Sequence, residues 1–137
     1  MTKGKICVIE DDEVLLKVIT AELADAGFEV SAARDGEEGL ALLKSKVPDL
    51  VVLDILMPKK SGLDVLADIK KSPLLQHIPV IIMSALGSDE DIKEGLIMGA
   101  ADYFVKSQHP IREIADKVEE FLLKNQHSKT PAGESSA

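Results

Sequence analysis

Short, almost wholly apolar runs alternate along this chain with segments whose apolar residues recur at helical spacing. Ile6-Cys-Val-Ile9 is followed by Leu15, Ile19 and Leu23 at i, i+4 and i+8, and Gly27 stands where a helix C-terminal cap would. Phe28–Ala33 is a less apolar strand candidate, and the segment from Glu37 to Lys46 puts Leu40, Leu43 and Val47 on one face. Asp49–Leu53 is a β-branched-rich run that ends at Asp54, and Gly62–Lys71 reads as a helix. Pro79–Met83 is the fourth strand candidate. Ser88 then reads as an N-cap with Asp89, Glu90 and Asp91 in the first turn, opening a helix that turns Ile92 and Leu96 inward. Asp102–Val105 is the fifth strand candidate. Pro110 suits the first turn of a final helix carrying Ile111, Ile114, Val118 and Leu122 on one side.

Five strands alternating with five helices predict an α/β fold, a single parallel sheet covered on both faces, because uniformly apolar strands are buried strands. The domain is expected over residues 1–124. Beyond Lys124 the composition becomes polar and small, so 125–137 reads as a flexible C-terminal tail or linker.

Hydrophobic residues make up 45% of the 137, enough for one core without disulfide staples. Cys7 is the single cysteine, which excludes an internal disulfide and a thiolate metal cage. With 24 acidic against 16 basic residues the net charge is −8, a poor match to nucleic-acid phosphates or an anionic membrane. No stretch approaches the roughly 20 apolar residues that span a bilayer. The acidic residues after Ile9 are the wrong flank for a signal peptide, so a cytoplasmic domain is expected.

Ligands of an open parallel sheet bind beyond the carboxyl ends of its strands. After the first apolar run come Glu10 and Asp11, after the third Asp54, after the fourth Ser84 and after the fifth Lys106. Taken singly, an acidic run is usually a solvated turn and a strand-end lysine is usually surface. Their convergence on one rim is another matter. Clustered carboxylates repel unless a cation sits among them, and hard oxygen ligands suit Mg²⁺. A carboxylate held between that cation and a lysine can attack phosphorus and become an acyl phosphate.

These residues resemble the receiver domain of bacterial response regulators, the CheY-like family, over about residues 4 to 124. Glu10-Asp11 resembles the acidic pair, and Asp54-Ile-Leu-Met-Pro58 with Gly62 resembles the phosphoacceptor motif. Ser84-Ala85 resembles the Thr/Ser-Ala pair, and Tyr103-Phe-Val-Lys106 resembles the aromatic and lysine of the fifth strand. The resemblance implies a flavodoxin-like fold with strand order 2-1-3-4-5. It also implies a phosphorelay function in which Asp54 accepts a phosphoryl group from a histidine kinase or phosphotransfer protein. Mg²⁺ would be ligated by Asp11, Asp54 and the Leu56 carbonyl, with Glu10 direct or through water, while Lys106 and Ser84 hold phosphoryl oxygens. Tyr103 would swing inward as Ser84 moves, altering the effector-binding face of the fourth helix, fifth strand and fifth helix. A monomer or a phosphorylation-dependent dimer is expected. Glu10, Asp11, Asp12 and Glu13 are consecutive, so a slip of one residue would hand the pair's role to Asp11 and Asp12; Glu10-Asp11 directly follow the strand.

One residue departs from the family pattern: Ser107 follows Lys106 where proline with a cis bond is usual. A cis bond to a non-proline residue costs roughly 2.5–4 kcal/mol, so a trans bond is expected. His77, His109 and His127 lack metal-ligand spacing. No output domain follows Lys124, so the expectation is a stand-alone receiver or one cut from a longer chain. The alternative function is an aspartate-nucleophile phosphohydrolase of haloacid dehalogenase type, which would need a second acid where Leu56 stands. A flavin binder would want aromatics, and these are 3% of the chain.

Overall fold

A computed structural model of the chain describes the backbone of residues 2–136 and the side chains of residues 2–124. The apolar runs become strands β1 (Lys5–Ile9), β2 (Glu29–Ala33), β3 (Leu50–Leu53), β4 (Val80–Ser84) and β5 (Asp102–Val105). The segments between and after them become helices α1 (Glu13–Asp25), α2 (Gly36–Ser45), α3 (Gly62–Lys71), α4 (Asp89–Ile97) and α5 (Ile111–Ser136). All strands are parallel, as the apolar runs predict, and stand in the order β2-β1-β3-β4-β5 that the resemblance implies.

Alternate residues of each strand feed opposite faces. Cys7, Ile9, Val51, Leu53, Val80 and Ile82 pack with α2, α3 and the half-buried Ile92 and Met98 at α4. Ile6, Val8, Leu50, Val52, Ile81 and Met83 pack with α1 and α5. Each fully buried aliphatic side chain contributes roughly 1.5–3 kcal/mol, so the two clusters together carry the fold. Asp12, Asp35, Ser61 and Ser88 cap the first four helices by accepting a backbone N–H with their side chains. Gly27 ends the turn after α1 at φ 105°, a conformation open to glycine, as its position suggests.

Several inward positions differ from the sequence expectation. Leu16, rather than Leu15, joins Ile19 and Leu23 in the core, and Val47 lies beyond the end of α2 with 41% of its surface exposed. Leu96 is turned out to solvent. The buried residue of α4 is Gly95, where a β-carbon would lie 2.8 Å from Ile82 Cδ1 and 3.0 Å from Tyr103 Cδ2. α4 therefore approaches the sheet through a missing side chain, with Leu96 and Ile97 left outside. The Lys106–Ser107 bond is trans, no cis peptide bond occurring among the described residues. No end of secondary structure marks the boundary expected at Lys124, since the helical backbone of α5 runs on to Ser136. The tail expected over 125–137 concerns side chains that lie outside the described residues.

Candidate functional site

Ladder hydrogen bonds continue one residue past three strand ends and fix the residues just beyond them. Glu10 N donates to Ala33 O at 3.0 Å, Asp54 N to Ile9 O at 3.0 Å, and Lys106 N to Ser84 O at 2.8 Å. The site residues thus leave the sheet from positions set by strand pairing rather than by loop conformation. Glu10, Asp11 and Asp54 each bring a carboxylate oxygen to within 4.8 Å of the others, and no other such acidic, His or Cys group is present among the described residues. Glu10 and Asp54 are buried, at 1% and 3% exposed, while Asp11 is open to solvent.

Lys106 reaches into this group, its Nζ 2.8 Å from Glu10 Oε1 and 3.4 Å from Asp54 Oδ2. The approach to Glu10 is an ion pair without hydrogen-bond alignment, so Oε1 is buried beside a positive charge with no donor aimed at it. The second Glu10 oxygen accepts the Asp12 amide at 3.0 Å. Asp12 is otherwise engaged, its Oδ1 accepting Leu15 N at 3.1 Å to cap α1. Asp12 thus caps α1 and lies outside the acidic group of Glu10, Asp11 and Asp54.

Burial and then the neighbouring Glu10 charge push the Asp54 carboxyl up to about 7, against the opposing pull of Lys106. The Lys106 ammonium is disfavoured by burial, but its contacts with Glu10 and Asp54 outweigh that and hold it above its ordinary value. Three carboxylates with one ammonium, and one oxygen lacking an aligned donor, form an oxygen-rich set short of positive charge. That set fits a hard divalent cation such as Mg²⁺.

Ser84 is fully buried, and its Oγ accepts Leu86 N at 3.1 Å. Tyr103 differs from expectation. Its ring is already turned inward at 8% exposed, and its hydroxyl donates to Leu86 O at 2.6 Å. The gap that Gly95 leaves in α4 admits the ring, so no swing is needed to bury it. Leu86 thereby joins the Ser84 loop to β5. The sequence reading missed this link, and it missed Lys59, whose Nζ lies 3.5 Å from Asp35 Oδ2 beside the rim. Backbone carbonyl partners and turn geometry leave no trace in hydropathy; Pro58 next to Lys59 was the single available signal.

The response regulator receiver domain model matches residues 6–119. This chain belongs to the response regulator receiver family. Among the receiver's curated relatives, a probable transcriptional regulator ycf27 of Guillardia theta is 39% identical over 80% of this chain and 42% of its own. The transcriptional regulatory protein CpxR of Klebsiella pneumoniae is 38% identical over 92% of this chain and 52% of its own. The chain spans about half the length of such relatives. Among solved structures, the receiver domain of the Francisella response regulator 1452 superposes with a TM-score of 0.82 at 32% identity, covering 90% of this chain and 98% of that one. The receiver is a module of two-component signalling, and nothing in these relatives supports a haloacid dehalogenase-type hydrolase. No described helix is long and apolar enough to cross a membrane.

Proposed function

We propose that Asp54 is the phosphoacceptor of this receiver and takes its phosphoryl group from the phosphohistidine of a histidine kinase or phosphotransfer protein. The observation that carries this reading is the meeting of Glu10, Asp11 and Asp54 within 4.8 Å, with Lys106 3.4 Å from Asp54. Asp11, Asp54 and the Leu56 carbonyl would hold Mg²⁺, with Glu10 bound directly or through water. Once bound, the ion neutralises phosphoryl oxygens. An Asp54 carboxylate oxygen attacks phosphorus, the P–N bond of the donor breaks, and the electron pair returns to its imidazole. Lys106, now shared between two carboxylates, pairs with the incoming phosphoryl oxygens, and the Ser84 hydroxyl donates to one of them. Because Tyr103 is tied to Leu86, movement of the Ser84 loop is transmitted to the face formed by α4, β5 and α5. The exposed Leu96 and Ile97 on α4 support an effector protein docking there. The acidic charge weighs against direct nucleic-acid contact by this module, and a cytoplasmic monomer or phosphorylation-dependent dimer suits it.

Intact mass after acetyl phosphate treatment tests the reading. One phosphoryl group is expected on the wild type with Mg²⁺ and none without it or in Asp54→Ala. Asp11→Asn should raise the Mg²⁺ concentration required, and Asp12→Asn should not. Labelling of Asp54→Ala at the wild-type level would place the acceptor elsewhere.

Two leucines bear on how long the phosphoryl group lasts. Leu56 is 52% exposed at the mouth of the site, its amide donating to Asp54 Oδ1 at 3.3 Å, and Leu86 follows Ser84 by two residues. Neither side chain can orient an attacking water. Slow self-dephosphorylation is expected, with Leu56→Asn or Leu86→Glu each accelerating decay about tenfold, the worth of one hydrogen bond of about 1.4 kcal/mol. Decay of the wild type within seconds of donor removal would contradict this.

A further inference from the structure

The loop joining β3 to α3 places an unfavourable backbone conformation on a lysine. Lys59 has φ 66°, the one positive φ at a non-glycine among the described residues. Across it, Lys60 N donates to Pro58 O at 2.7 Å. That bond closes a three-residue γ-turn with a left-handed centre, the strained variety of this turn. A residue with a side chain persists in such a turn only where its surroundings hold it there.

Two contacts hold it. Lys59 Nζ lies 3.5 Å from Asp35 Oδ2, and the other oxygen of Asp35 accepts Glu38 N at 2.8 Å, capping α2. The Asp35 side chain is 15% exposed and that of Lys59 61%, so the acid is the anchored member of the pair and the lysine reaches to it across the surface. Beside it the Lys60 carbonyl lies over Gly36, where a β-carbon would come within 2.5 Å of the carbonyl oxygen. The base of the loop is closed by Gly62 N donating to Ile55 O at 2.8 Å. Between base and tip lies Leu56, whose peptide N–H reaches Asp54 Oδ1 at 3.3 Å. The loop is therefore fastened at both ends, and Lys59 supplies the fastening at the tip.

We propose that Lys59 is a positioning residue for the cation site: its ion pair with the Asp35 cap holds the loop in the strained turn that sets the Leu56 peptide beside Asp54. The proposal rests on the Mg²⁺ reading above. The strain and the tie are opposed, and this makes them separable. Glycine at position 59 relieves the left-handed conformation but cuts the tie, so stability and cation affinity should move in opposite directions. A residue with a merely structural role would move them together.

The test is calorimetric titration of Mg²⁺ into the unphosphorylated protein, with thermal melts of the same variants in EDTA. Lys59→Gly is expected to melt at or above the wild-type temperature while binding Mg²⁺ about three- to tenfold more weakly, somewhat less than the usual effect of an outer-shell partner. Lys59→Ala should weaken binding likewise, and Lys59→Arg should restore it. Asp35→Asn keeps a good helix cap but loses the charge. It should match Lys59→Ala, and the double variant should be no weaker than either single one. Wild-type affinity in Lys59→Gly, or affinity and melting temperature falling together there, would overturn the proposal. A wild type that takes up no Mg²⁺ would instead overturn the cation reading beneath it.

Discussion

Gly62→Ala is expected to leave little folded receiver. A β-carbon on Gly62 would lie 2.0 Å from the Asp54 carbonyl oxygen and 2.7 Å from Ile55 Cα, both main-chain atoms. A flexible side chain could yield to such a contact, but the end of β3 cannot. Gly62 opens α3, where alanine is the better helix former by about 1 kcal/mol. Propensity alone would therefore make the substitution stabilising. The clash decides the sign, because moving α3 off Asp54 opens the cluster of Val65, Leu66 and Ile69 against the sheet. A cost of about 4 kcal/mol or more is in the range of severe core disruption. It should lower the melting temperature by about 15 °C, measured by far-ultraviolet circular dichroism on whatever protein is soluble. A variant melting within a few degrees of wild type would mean that the approach is looser than described.

The second large effect is electrostatic. In the folded protein the Asp54 carboxyl is pushed up to about 7 from its ordinary 3.8, first by burial and then by Glu10. A carboxyl with a raised folded-state pKa binds more protons folded than unfolded. Its contribution to stability is therefore full at pH below its ordinary value and is lost as pH climbs towards 7. A displacement of that size would correspond to about 4 kcal/mol, and solvent at the open rim reduces this to about 1–2 kcal/mol. In EDTA, wild type should melt at lower temperature at pH 8 than at pH 5.5. At pH 8, Asp54→Asn should melt about 3–8 °C above wild type, since Lys106 keeps its Glu10 partner at 2.8 Å. Adding Mg²⁺ should raise the wild-type melt by mass action and close the gap. Superimposable melts of the two proteins across this pH range would show that no such penalty exists at Asp54.

The fold and the site were legible to different depths. Strands were clear because parallel strands buried on both faces are apolar throughout, as in Leu50–Leu53 and Val80–Met83. Glu10, Asp54 and Lys106 stand out because each follows such a run directly, where the ladder fixes it. Helix faces were harder. α4 has apolar residues on more than one side, and the position that meets the sheet, Gly95, is defined by a side chain it lacks, which periodicity cannot count. Leu15 and Leu16 are equally apolar neighbours, and tertiary packing chose between them. The sequence singles out Tyr103, but its inward pose depends on the gap at Gly95 and the carbonyl of Leu86, neither visible in spacing.

The strand order also separates the site's charges by their place in the chain. β1 pairs directly with β3, so Glu10, Asp11 and Asp54 are gathered by one strand pairing in the first half of the chain. Lys106 follows β5, the outermost strand on the far side, and joins the sheet only through β4. The anionic partners and their ammonium are therefore placed by different strand pairings, with β4 lying between β3 and β5. A change that loosens β5 from β4 would withdraw the counter-charge from a carboxylate group that β1 and β3 still hold together.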